Sequence, residues 1–284
     1  MKRLHEKIIE KVFLLSAITG IFIVFLILFF IFTEGIPVMQ KYGLSHFLFE
    51  TAWRPKNNLF GLLPMILGSF YVTLGALLLG VPVGIGCAIY LAEIAPRWLA
   101  RAVRPLIELL AGIPSIVYGF FGLVVIVPFI MEHLGGRGLS TLAASVVLGM
   151  MILPTVINVS EDAIRAVPNE YREGSYALGA GLWQTISKVV LPTARSGLIA
   201  AVILGMGRAI GETMAVILVA GNAPAIPGSP LDMVRTLTAN IAIEMGYAAG
   251  DHAGALFATG IILVVIIMLL NTLITLIPGK VGEK

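Results

Sequence analysis

The sequence predicts an all-α protein, a polytopic membrane bundle of six transmembrane helices. Composition is the first reason. Of 284 residues, 58% are hydrophobic and 12% charged, whereas soluble domains carry about 25% charged residues. Mean hydropathy is +0.98. Length is the second. The stretches 12–33, 61–92, 106–131, 140–160, 197–221 and 254–277 each supply the roughly 20 mostly apolar residues that a helix needs to cross a bilayer. The third is where the cations stand. With the N-terminus placed in the cytoplasm, inner segments hold Lys2, Arg3, Lys7, Lys11, Arg97, Arg101, Arg104, Arg165, Arg172, Lys188, Arg195, Lys280 and Lys284. Outer segments hold only Lys41, Arg54, Lys56, Arg137 and Arg235. This bias puts both termini and the long loop at 161–196 in the cytoplasm.

The first span follows the basic opening MKRLHEK. No small-residue cleavage site ends it, and it is too long for a signal-peptide core, so it reads as a retained helix. The second is long enough to begin as a short interfacial helix at Leu59–Leu67, and Pro82 within GVPVGIG predicts a kink near its middle. The third holds Gly112-Ile113-Pro114-Ser115. A helix broken there frees backbone groups that are tolerated only against protein or a water-lined cavity. The outer segment after the fifth span opens with Ala-Pro-Ala-Ile-Pro-Gly-Ser-Pro, a turn-rich stretch, and 233–247 then reads as a short surface helix. Residues 1–60 form an N-terminal helix and outer loop, separable from a core at 61–280.

Net charge is +3 and the sequence pI about 9.0. In this setting the basic residues are orientation signals, not a nucleic-acid footprint. Membrane lipid is the expected surrounding and no nucleic acid is expected as a partner. The single cysteine, Cys87, lies inside an apolar span, so no disulfide framework is possible. Glycines 205, 207 and 211 do not have dinucleotide-loop spacing, and no G-x-x-x-x-G-K-[ST] occurs, so this chain is not expected to bind ATP. The histidines, His5, His46, His133 and His252, have no metal spacing and fall in loops or termini. Gly207 and Gly211 make a G-x-x-x-G face suited to close helix packing.

The loop at 161–196 is charged and water-facing. Pro168 suits a helix start, so PNEYREGSYAL forms one short helix ending at Gly179 and LWQTISKVV a second, ending at Leu191-Pro192. Trp183, Ile186, Val189 and Val190 give this knob an apolar surface to bury. Composition alone favours an ordinary interfacial loop whose apolar residues rest on the bilayer.

Spacing carries the loop further. Glu173-Gly174-Ser175 is followed after three residues by Gly179, and after nine more by Val189, Val190 and Leu191-Pro192. This frame resembles the loop of ABC-importer permeases, which reads Glu-Ala-Ala, three residues, Gly, nine residues, Ile, any residue, Leu-Pro. The departures are small or apolar. LAEIAP (91–96), LLAGIPSIVYGFFGLVVIVPF (109–129), ALGAGLWQTISKVVLPTARSG (177–197) and GRAIGETMAV (207–216) are similar to phosphate-importer permeases, on the PstC-type side of that system. The resemblance covers nearly the whole chain.

The resemblance implies a type I ABC importer permease fold and a permease subunit without its own catalytic site. It implies translocation of inorganic phosphate across the bacterial cytoplasmic (inner) membrane. Glu173, Gly179, Leu191 and Pro192 would then mark the loop that docks on an ATPase. The implied partners are a second, PstA-type permease, two PstB-type ATPase subunits carrying ATP and Mg, and a PstS-type phosphate-binding protein outside the cell. An importer for another oxyanion, sulfate or molybdate, is the alternative.

Two charges lie inside the fifth span. Arg208 stands eleven residues past its start, or roughly 16 Å, near the midplane of the bilayer. Glu212 follows four residues on and is expected to face the same way, with Thr213 pointing elsewhere round the helix. Such charges face a partner or a wet cavity, not lipid. Arg208 suits a tetrahedral oxyanion in transit. Glu212 has two readings: it neutralises Arg208 between transport events, or it accepts a hydrogen bond from the proton that phosphate still carries at neutral pH. A structural ion pair is the competing reading. Ser115, Tyr118 and Asn158 read as helix–helix hydrogen-bonding groups. Glu93 and Glu108 are expected to pair with Arg97, Arg101 or Arg104.

Overall fold

A computed structural model of the chain describes residues 2–276. Lys280, Lys284, the expected core boundary at 280 and the last residue of the sixth expected span lie outside the described residues. Helix α1 (Lys2–Tyr42) leads into a short α2 (Leu44–Phe49) and a tight hairpin, β1 (Trp53–Arg54) against β2 (Leu59–Phe60). The strands are antiparallel, with Trp53 opposite Phe60. Then come α3 (Leu63–Ile94), α4 (Arg97–Gly112), α5 (Ser115–His133) and α6 (Thr141–Arg165). The 161–196 loop holds α7 (Asn169–Ala177) and α8 (Leu182–Thr193). Beyond it lie α9 (Arg195–Gly211), α10 (Met214–Val219), α11 (Leu237–Glu244) and α12 (Asp251–Leu276).

Helices α1, α3, α5, α6 and α12 are each long and apolar enough to cross a membrane. Helix α9 has 17 residues, about 26 Å, and is long and apolar enough for a crossing when taken together with α8, from which it is bent by 70°. The chain is thus a multi-pass membrane bundle. The span expected at 106–131 is really two elements. Helix α4 is amphipathic, with Ala100 and Ile107 buried and Trp98 and Leu109 exposed, and the crossing starts at Ser115. No interfacial helix forms at 59–67, where Leu59 and Phe60 make the second strand. Helix α3 continues through Pro82, and its irregularity comes later, as a π-helical turn over Tyr90–Ile94.

Helices α3 and α6 pack along most of their length. Glycine permits it: a Cβ at Gly80 would stand 2.8 Å from the Gly149 carbonyl, and one at Gly84 would meet Val156 at 2.7 Å. Small residues let backbones approach where lipid supplies no hydrophobic drive between helices. The second half of α1 packs on α12, with Phe30 edge-on to Phe257 at 5.3 Å, while residues 9–27 are exposed. Phe47, Trp53 and Phe60 bury a separate core against Leu237 and Leu256 at the hairpin end of the bundle.

Candidate functional site

The fifth expected span is discontinuous where its charges lie. Helix α9 ends at Gly211. Glu212 is extended (φ −69°, ψ 134°), Thr213 is irregular (φ −121°, ψ −59°), and α10 starts at Met214. Glu212 and Arg208 therefore do not share a helix face, and among the described residues they form no ion pair. Glu212 instead closes the break. Its Oε1 accepts from the Ala215 N–H at 3.2 Å, capping the first turn of α10. Its carbonyl accepts from Thr238 Oγ1 of α11 at 3.0 Å. Thr213 does not point away round a helix but sits in the break, its hydroxyl donating back to the Gly211 carbonyl at 3.3 Å.

Arg208 occupies the last turn of α9, half-buried, with no hydrogen-bond or ion-pair partner among the described residues. The glycines around it are not a packing face. Nothing lies within 4 Å of a Cβ built at Gly207 or at Gly211, so the expected close contact there is replaced by open space beside the guanidinium. An unpaired cation and irregular backbone at membrane depth require a wet or polar surrounding.

A second break faces the first. Ile113 and Pro114 are extended between α4 and α5, as the proline predicts. Tyr118 bridges the break by donating to the Leu110 carbonyl at 2.9 Å. Helices α5 and α10 then pack closely, a Cβ at Gly119 meeting Ala215 Cα at 2.8 Å. Arg208 is near enough for its charge to act on the Tyr118 phenol. The break that precedes α5 and the break between α9 and α10 are thus linked through packed α5 and α10, with Arg208 in the last turn of α9; transporters use discontinuous helices to hold ions near the midplane.

The 161–196 loop forms the expected two helices. Pro168 caps α7, and Gly179 makes the corner with φ +83°, a left-handed conformation that favours glycine. Ser175 Oγ and Thr185 Oγ1, 2.9 Å apart, tie the two helices together. Glu173, Gly179 and Pro192 are exposed and Leu191 is half-buried. The apolar residues divide. Leu178 is 91% and Trp183 66% exposed, but Ile186 and Val190 are buried within the chain. Helix α8 meets α9 at 70°. No cluster of metal-ligating side chains occurs among the described residues.

Residues 80–282 match the family model for the binding-protein-dependent transport system inner membrane component. The chain belongs to that family. Its members are transport subunits, not enzymes, and the chain is the permease subunit of an ABC importer. It is 44% identical over 258 residues to a probable ABC transporter permease protein, YqgH, of Bacillus subtilis, covering 88% of this chain and 84% of the relative. It is 37% identical over 270 residues to the phosphate transport system permease protein PstC of Xylella fastidiosa, covering 88% and 83%. Among solved structures, the MetNI methionine ABC transporter in an inward-facing conformation is similar in fold. The TM-score is 0.60 at 21% identity, over 80% of this chain and 97% of that one.

Several ionic clusters among the described residues of this permease largely lack a signal in the sequence, the pair of Lys41 with Asp251 among them. Glu161, 5% exposed, binds Arg104 of α4 and, at 2.9 Å, Arg165 one turn on. Its hydrogen bonds hold the Arg104 pKa above the ordinary guanidinium value. Glu93 pairs not with Arg97, Arg101 or Arg104 but with Arg172 of α7, at 2.6 Å. At the hairpin end, Glu244 gathers Arg235 at 2.6 Å, Trp53 Nε1 at 2.9 Å and His252 Nε2 at 2.8 Å. His252 is therefore in the first turn of α12, not in a loop. Only the Glu161–Arg165 spacing, acid four residues before base, was a readable signal.

Proposed function

We propose that this permease conducts inorganic phosphate inward across the bacterial cytoplasmic membrane. The observation that carries the reading is Arg208, a cation without a partner among the described residues, at a helix break beside open space. A guanidinium offers a planar fork of donors that matches a tetrahedral oxyanion and stays charged at any working pH. The relatives named as phosphate transport permeases support the choice of anion.

In this reading Arg208 receives the anion, and Tyr118 and Thr213 flank it. Glu212 spends one oxygen on capping α10 and presents the other to the break. That oxygen accepts a hydrogen bond from the P–O–H that phosphate retains at neutral pH; sulfate has no such donor. The exposed apolar residues of the 161–196 loop, Leu178 and Trp183, enter a groove on the ATPase, with Glu173, Gly179, Leu191 and Pro192 fixing the loop's shape. ATP and Mg act on that partner, which is present in two copies. A second, PstA-type permease completes the path, and a PstS-type binding protein delivers phosphate from outside. Both termini and the 161–196 loop face the cytoplasm. Residues 1–60 serve as an N-terminal anchor to the core at 61–280.

The experiment is reconstitution. Copurification is expected to bring down an ATPase and a related permease, and vesicles holding the complex are expected to take up labelled phosphate in preference to sulfate or molybdate. Glu212→Gln is expected to weaken discrimination between phosphate and sulfate. Preferential uptake of sulfate or molybdate by the unaltered complex contradicts the phosphate assignment.

A further inference from the structure

We propose that Glu93 and Arg172 form a strut through which movement of the 161–196 loop reaches the paired helices α3 and α6. The inference rests on the reading of that loop as the ATPase-coupled element, and it assigns the internal residue that carries the load.

Arg172 lies in the middle of α7 and uses all three guanidinium nitrogens. Nη2 binds Glu93 Oε1 at 2.6 Å, and Nε lies 3.2 and 3.3 Å from the two carboxylate oxygens. Nη2 also donates to the Ile164 carbonyl at 2.9 Å, and Nη1 to the Val167 carbonyl at 2.6 Å. One side chain therefore clasps the end of α6, the link to α7 and the end of α3. The side chains are 15% and 8% exposed, so water screens the pair little.

The end of α3 is shaped to receive this contact. Over Tyr90–Ile94 the helix widens into a π turn, closed by the Ala95 N–H on the Tyr90 carbonyl at 2.7 Å. Single π turns recur at functional positions because they shift the residues that follow round the helix. Here the turn carries Glu93 toward α7. It also offers the Leu91 carbonyl, which Arg165 Nη2 takes at 2.9 Å. Both arginines that flank the α6–α7 corner thus bind the same five-residue turn.

Two routes then leave the loop. At its far end, α8 continues covalently into α9 across the 70° elbow, and α9 carries Arg208 in its last turn. At its near end, residues 166–168 alone join α7 to α6, and the strut adds a fixed contact to α3. Because α3 and α6 interlock through Gly80 and Gly84, a push on α3 moves the pair as one body. Val190 and Leu191 of α8 also pack on Ala88, Ile89 and Ala92 of α3, but that contact is apolar and can slide, whereas the strut fixes α7 to α3 in one register. Arg172 and Glu93 are positioning residues: they touch neither anion nor nucleotide.

The test uses the assembled complex in vesicles, with labelled inorganic phosphate and ATP. Arg172→Ala is expected to keep the ATPase bound yet lower phosphate imported per ATP hydrolysed about tenfold. Arg172→Lys is expected to fall between, since an ammonium cannot hold the carboxylate and both carbonyls in one plane. In a Cys87→Ser background, Glu93→Cys combined with Arg172→Cys is expected to be uncoupled. A short, reducible thiol crosslinker is expected to restore coupling, and reductant to abolish it again. Unchanged import per ATP in Arg172→Ala overturns the strut. So does loss of the ATPase from that variant, or a crosslink that leaves coupling unrestored. An unaltered complex that holds no ATPase contradicts instead the reading of the loop on which the strut depends.

Discussion

Replacing Glu161 by alanine removes the carboxylate that fastens α4 to α6. Arg104 gives it two hydrogen bonds, from Nε at 2.9 Å and from Nη2, and Arg165 a third at 2.9 Å. Only the Arg104 pair spans the two helices. Hydrogen bonds to charged groups contribute about 1.5–3 kcal/mol each, which sets a ceiling of roughly 3–6 kcal/mol. Arg104 is 39% exposed, so water recovers much of its solvation once the partner is gone, and the tie falls to about 2 kcal/mol. The remaining anchors of α4, Ala100 and Ile107 against Leu91 and Ile157, do not change. At 1.36 kcal/mol per decade, amide exchange across α4 is expected to rise about 30-fold. Hydrogen exchange read by mass spectrometry on the lipid-reconstituted protein measures this directly. Glu161→Gln, which keeps an acceptor but loses the charge, is expected to fall between. An unchanged α4, or equal acceleration in α3 and α12, would show that the carboxylate does not hold this helix.

Other expectations concern packing, backbone and the buried charge at the hairpin end. Gly80→Leu places a Cβ 2.8 Å from the Gly149 carbonyl, forcing α3 from α6 at about 1–3 kcal/mol. Its thermal midpoint in detergent is expected to drop, while Gly86→Ala, with nothing within 4 Å of the new Cβ, is expected to leave it unchanged. Glu244→Gln leaves Arg235, 14% exposed, without its counter-charge, at about 3–5 kcal/mol. Trp53 fluorescence is expected to shift as the carboxylate that accepts its indole N–H becomes a neutral amide. Gly179→Ala forces alanine to φ +83°, about 1–2 kcal/mol of strain, and is expected to weaken ATPase retention without altering the melting of the span helices.

What the sequence made readable follows from the physics of each feature. Bilayer thickness sets a length, so apolar runs marked the crossings. Proline disfavours helix at the residue before it, and beside Gly112 this made the Ile113–Pro114 break visible, although α3 runs on through Pro82. The break at Glu212–Thr213 was not, because GRAIGETMAV holds no proline and reads as a continuous apolar helix. The groups that satisfy its freed backbone include Thr238, on a helix much later in the chain. Likewise Pro168 and Gly179 foretold the two loop helices, but not that Ile186 and Val190 turn inward while Trp183 turns out. Local charge spacing could find Glu161 with Arg165. It assigned Glu93 to its nearest arginines in sequence, whereas folding brings it to Arg172 of α7. Amphipathic α4 was absorbed into a span because its apolar face alone nearly meets the length required.

Phosphate uptake by an Arg208→Ala complex bears on whether the open guanidinium at the helix break lies on the anion's path. Arg208 has no partner to lose among the described residues, so the variant is expected to fold and to retain its ATPase. Uptake of labelled phosphate into vesicles is expected to fall about a hundredfold or more, as for a lost charged ligand, with Arg208→Lys recovering only part. Full uptake by Arg208→Ala, with the complex intact, would contradict the assignment of this residue to the pathway.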